Sequence, residues 1–119
     1  LKKSNIRVTL FVEPNFSDIT RAKKLGANCV ELHTGKYCNL FNKKKKAELA
    51  FIKLRKASIH AQKKGLDVHA GHGLSYETAQ KISKIKYISE LNIGHFIIAE
   101  SVFVSLKSSI NKLKKIINK

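Results

Sequence analysis

The sequence predicts an α/β protein on a parallel sheet: about four βα units, the C-terminal half of a (β/α)8 TIM barrel, with residues 1–119 as half of a single barrel domain. Three observations predict it. Strand-like apolar runs alternate with helix-periodic stretches four times, which requires helical crossovers between parallel strands. Three of those strands end in glycine beside histidine, or in His-Thr-Gly: Val30-Glu31-Leu32-His33-Thr34-Gly35, Val68-His69-Ala70-Gly71-His72-Gly73 and Glu90-Leu91-Asn92-Ile93-Gly94-His95. Such endings put reactive side chains and bare amides at one end of a sheet, where enzymes of this architecture keep their chemistry. Finally, the 119 residues are about half of the ~250 in a closed barrel. Met is absent, even at position 1, so the chain is expected to be a piece of something longer.

The elements follow in order. Arg7 to Val12 is β-branched and apolar and reads as a strand, broken by Glu13-Pro14-Asn15-Phe16. Ser17 is a candidate N-cap with Asp18 in the first turn, Ile19, Ala22 and Leu25 form a short amphipathic face, and Gly26 stops it. Asn28 to Thr34 is the second strand, left through Gly35-Lys36-Tyr37. From about Lys44 to Lys64, Ala47, Ala50, Phe51, Leu54, Ala57 and Ala61 recur at helical spacing, and Gly65 ends the run. Leu66 to Ala70 is the third strand. Ser75 then caps a helix with Glu77 in its first turn and Ala79, Ile82 and Ile85 beneath. Glu90 to Ile93 is the fourth strand, Phe96 to Phe103 a short helix, and Leu106, Ile110, Leu113 and Ile117 mark a closing amphipathic helix.

Composition narrows the function. Hydrophobic content is 43%, enough for a core. No apolar run approaches the ~20 residues that span a bilayer, and the N-terminus lacks a secretion signal's apolar centre, so no membrane association and a cytoplasmic location are expected. Cys29 reads as a small buried hydrophobe, and a disulfide to Cys38 has little support. The net charge of +16 attracts phosphate, nucleic acid or anionic lipid. Only Arg7, Arg21 and Arg55 are arginines, the type that base-reading sites favour, and the lysines are scattered apart from Lys43 to Lys46. Most of the charge therefore reads as solvated surface that also draws in phosphorylated metabolites. A basic nucleic-acid-binding module without catalysis is the alternative.

Strand alternation puts Cys29, Glu31 and His33 on one face and Val30, Leu32 and Thr34 on the other. The apolar set suits packing against helices, which turns Glu31 and His33 inward. A carboxylate there is unfavourable unless paired or used, so Glu31 is a candidate catalytic acid, with a structural ion pair as the alternative. His72 between two glycines is a candidate for proton transfer, the alternative being a solvated turn. Gly94-His95 opens a short helix whose free amides suit phosphate, and Gly73 and Gly94 fall in the two loops that bind phosphate in second half-barrels, unless both glycines only relieve tight turns. No CxxC pair, HExxH helix, GxxxxGK[ST], GxGxxG or GxSxG is present, and no metal is expected.

Arg7-Val8-Thr9-Leu10-Phe11, Glu31-Leu32-His33-Thr34-Gly35-x-Tyr37, Gly65-Leu66-x-Val68-x-Ala70-Gly71-His72-Gly73-Leu74-x-Tyr76 and Glu90-Leu91-Asn92-Ile93-Gly94-His95-x-Ile97-Ile98 together resemble the pyridoxine 5'-phosphate synthase family, from about Ile6 to the end. The resemblance implies a homo-octamer of (β/α)8 barrels. It implies condensation of 3-amino-2-oxopropyl phosphate with 1-deoxy-D-xylulose 5-phosphate to pyridoxine 5'-phosphate, phosphate and water in vitamin B6 biosynthesis, without a cofactor. By the family motif Glu31 stabilises charge, His72 donates a proton, and Gly73, Gly94 and His95 hold the aminoketone phosphate. The family's first half adds a second His, a Glu and basic residues, so this piece alone is expected to be inactive. Two departures stand out: His69 replaces the usual Asn, and Ala99-Glu100 the usual Gly-Arg.

Overall fold

The computed structural model describes residues 2–117. A 3-10 turn, Lys2–Ser4, leads into β1 (Thr9–Val12), α1 (Phe16–Lys24), β2 (Cys29–His33), α2 (Gly35–Leu40), α3 (Lys44–Lys63), β3 (Asp67–Gly71), α4 (Tyr76–Ile82), β4 (Glu90–Asn92), α5 (His95–Val104) and α6 (Leu106–Ile117). The four strands form one sheet in the order β1-β2-β3-β4, every pair parallel. A doubly wound sheet would reverse its strand order partway. Sequential order throughout is how consecutive units of a (β/α)8 barrel are laid out.

Alternation decides which face is covered. Val30, Leu32, Val68 and Ala70 are buried in one core with Ile19, Ala22, Leu54, Ala57, Ala61, Ala79 and Ile82 of the helices. Removing a side chain such as Leu32 from water contributes about 1.5–3 kcal/mol, so this face holds the helices on. The other face carries Phe11, Glu31, His33, Asp67, Glu90 and Asn92, none of them buried, with His69 buried among them. Cys29 on that face is fully buried, and burial pushes its thiol pKa up. Both cysteines are free thiols. No helix among the described residues is long and apolar enough to cross a membrane.

Local differences from the sequence reading have physical causes. Helix α1 is capped by Asn15 rather than Ser17: extended Asn15 accepts from the Asp18 amide at 2.8 Å, and Asn is as good a cap as Ser. Leu25, expected on the buried face, is 71% exposed, because the chain has reached the C-cap there. Helix α2 is an addition. Its six residues begin at a glycine and have little intrinsic helicity, but buried Tyr37 packs its ring on Phe41 and Phe51. Ser75 caps α4 as expected, and the structure adds a capping box with Thr78. In α6 the buried stripe is Ser109 and Leu113, while Leu106 and Ile110 are exposed. Tyr76 donates a hydrogen bond to Ser109 and so sets the rotation of that helix.

Candidate active site at the strand ends

Strand register fixes the site. Phe11, Glu31, His69 and Glu90 occupy one row across the sheet, and His33, Gly71 and Asn92 the next row on the same face. Alternation therefore aims Glu31, His33 and Asn92 out of the same side. At the C-terminal ends of β2, β3 and β4 they meet the two turns that follow β3 and β4. A cleft of about 390 Å³ opens there, lined by Glu31, His72, Gly73, Asn92, Gly94 and His95. All five candidate residues thus face one volume.

Glu31 is held from two sides. Asn92 donates from Nδ2 to Glu31 Oε2 at 2.7 Å, and the other carboxylate oxygen, Oε1, lies over Gly71, where an added Cβ would overlap it. Only a residue without a side chain lets the carboxylate cross β3 at this height. The alternation that turns Glu31 inward also turns Asn92 inward, so this partner was findable from the sequence. His69 pairs with its register neighbour Glu90 at 3.5 Å, at the far end of β4 from the cleft.

His72 adopts a left-handed backbone, φ 79°, a conformation uncommon for any residue but glycine. The clamp that holds it is Thr34, fully buried just after β2. Its hydroxyl donates to the Gly71 carbonyl at 2.7 Å and to the His72 carbonyl at 2.6 Å, one proton shared between two acceptors, and its amide donates to Gly71 at 2.9 Å. The Cys38 thiol, its pKa pushed up by burial, adds a weak contact to the His72 carbonyl at 3.8 Å. Burial also lifts the nearby Tyr37 phenol to about 12. Nothing in the sequence distinguishes Thr34 from a packing residue, because its partners lie 37 and 38 positions away. Thr34→Val keeps the shape and deletes the hydroxyl. Denaturant unfolding is expected to show a loss of about 0.5–1.5 kcal/mol, the usual net contribution of a hydrogen bond, since the Gly71 carbonyl keeps the amide of residue 34; wild-type stability would discard the clamp.

The His72 ring meets His33 edge-on, with centroids 4.8 Å apart at 75°, and Phe11 leans on both rings at 5.1 and 6.4 Å. Gly94 precedes the first turn of α5, so the free amides of that ten-residue helix border the cleft beside His95. Glu100 is the sixth residue of α5, past the amides that an anion would meet. Among the described residues, no three His, Cys, Asp or Glu side chains gather as a metal cage. An acid held by an amide, an imidazole on a strained turn and a helix start around one cleft can bind an anion and move protons next to it.

Comparison with known proteins gives a consistent result. The sequence model of a family described as pyridoxal phosphate biosynthesis protein PdxJ matches residues 1–119. Proteins named pyridoxine 5'-phosphate synthase from Pelagibacter ubique, Sulfurihydrogenibium sp. and Ehrlichia canis are 51%, 46% and 50% identical over 117 residues. Those alignments cover 98% of this chain and 49%, 47% and 47% of the respective relatives, so the chain spans about half the length of the curated relatives it matches.

Proposed function

The chain belongs to the PdxJ family of pyridoxal phosphate biosynthesis proteins, and from that premise we propose that it forms the C-terminal half of a pyridoxine 5'-phosphate synthase barrel. The reaction is condensation of 3-amino-2-oxopropyl phosphate with 1-deoxy-D-xylulose 5-phosphate to pyridoxine 5'-phosphate, phosphate and water, in the cytoplasm. The observation that carries the reading is the single cleft shared by Glu31, His72, Gly73, Gly94 and His95.

In this reading the amides of Gly73 and of the α5 start, with His95, hold the phosphate of the aminoketone. The Glu31 carboxylate, fixed by Asn92, faces the positive charge that builds as the amine condenses with a carbonyl. His72 donates the proton that lets water depart during ring formation. The second phosphate is held by residues outside this chain. Among the described residues β1 and β4 end the sheet, and those edges, with the sheet face that bears Glu31, are what the other half of a barrel would cover; homo-octamer assembly would follow the family's pattern. A nucleic-acid module rests on the +16 charge alone.

The test is an assay of pyridoxine 5'-phosphate formation from the two phosphorylated substrates. This chain joined to the barrel half that precedes it is expected to turn over, and the 119 residues alone are not, because condensation needs both substrates positioned together. No product from the joined protein would overturn the reading. A rate from the isolated chain close to that of the joined protein would remove the half-barrel argument.

A further inference from the structure

We propose that Glu13 and His33 form a positioning pair that holds the His72 ring for proton transfer; this rests on the reading of His72 as the proton donor. His33 does not line the cleft. It stands behind His72, and with Glu13 it walls a separate cavity of about 330 Å³ floored by Pro14, Tyr37 and Leu54. It therefore meets the His72 ring from outside the cleft.

The geometry is directional. His33 Nδ1 donates to Glu13 Oε1 at 2.6 Å, which fixes the tautomer and the ring plane. Glu13 is itself anchored, since it follows the last residue of β1, precedes buried Pro14, and accepts the Asn15 amide on its carbonyl at 2.7 Å. The far side of the His33 ring rests on Gly35. A Cβ there would stand 2.7 Å from His33 Nε2 and 3.0 Å from His72 Cδ2, so both imidazoles share one bare backbone seat. With the edge-on contact at 4.8 Å and Phe11 against both rings, the pair fills the space into which the His72 ring would otherwise turn. Thr34 holds the His72 backbone. His33, Gly35 and Phe11 hold its side chain, and a donor misplaced by about 1 Å loses about a hundredfold in rate.

The experiment combines kinetics of the full-length protein with NMR of the same protein carrying isotope-labelled histidine. Glu13→Ala is expected to lower kcat about tenfold with both KM values within about twofold, since the pair lies outside the cleft. Glu13→Gln keeps an acceptor oxygen and recovers most of the rate. His33→Ala matches Glu13→Ala, and the double variant is no worse than His33→Ala alone, as for groups acting as one unit. The His72 ring resonances shift in Glu13→Ala although Glu13 does not touch that ring. Wild-type kcat in Glu13→Ala, additive losses in the double variant, or unmoved His72 resonances would each overturn the pair. If the wild-type protein makes no pyridoxine 5'-phosphate, the reaction assignment fails on its own, and the resonances still decide whether Glu13 and His33 position His72.

Discussion

In the proposed synthase, His72→Asn in a full-length context is expected to lower kcat for pyridoxine 5'-phosphate formation by about a hundredfold to ten-thousandfold, the usual range for a lost general acid, and to leave the melting temperature within a few degrees of wild type. The two halves of this expectation have separate causes. Asn has no acidic proton to give, so the proposed proton donation ends. The fold is spared because position 72 needs a residue that tolerates φ 79°, and Asn takes that region more readily than His. The Thr34 hydroxyl still finds the carbonyl of residue 72. The lost ring contacts to His33 and Phe11, about 0.5–1.5 kcal/mol each at an exposed position, are offset by the relieved backbone strain. Turnover near wild type would dismiss His72 as the proton donor. A protein that no longer folds would show that the imidazole serves the fold.

The same residue shows how far a sequence can be read. Glycines flanking a histidine after a buried strand mark a turn with exposed chemistry, and parity along Cys29, Val30, Glu31, Leu32 and His33 separates a helix-facing set from an inward set. Both are local rules, and β2, β3 and the convergence of Glu31 with His72 follow from them, as α3 and α4 follow from helical spacing and the Ser75 cap. Thr34 and Glu13 escape such rules. The hydrogen bond from Thr34 to Gly71 closes 37 positions of chain, and that from His33 to Glu13 closes 20. Each exists only because parallel strands bring consecutive βα turns side by side. Helix α2 escapes for a related reason, since its stability comes from Tyr37 packing on Phe51 across the chain rather than from its own residues. Leu106 and Ile110 are the reverse case: periodicity marks the right helix, but the partner that fixes its buried face is Tyr76 of α4.

Gly71→Ala is expected to destabilise the protein by about 1–3 kcal/mol, the range for overpacking a filled site, and to abolish turnover. Gly71 has no left-handed backbone, so the effect is steric alone. The new Cβ meets Glu31 Oε1, the end of a flexible side chain, and the Asn92 backbone oxygen at 3.0 Å, which cannot yield without disturbing the β3–β4 pairing. The carboxylate can swing aside, but then it leaves Asn92 Nδ2 and its place in the cleft. The backbone oxygen can move only by loosening β4, a strand of three residues whose far end leads into Gly94 and the start of α5. One methyl group thus reaches both Glu31 and the turn at Gly94. Adding Glu31→Ala to Gly71→Ala separates the two contacts: unfolding should show the double variant more stable than Gly71→Ala alone, because the side-chain clash is gone, while activity stays lost because the acid is gone too. If Gly71→Ala alone folds and turns over as wild type does, the Glu31 carboxylate does not lie across β3 during catalysis, and its role beside His72 falls with that.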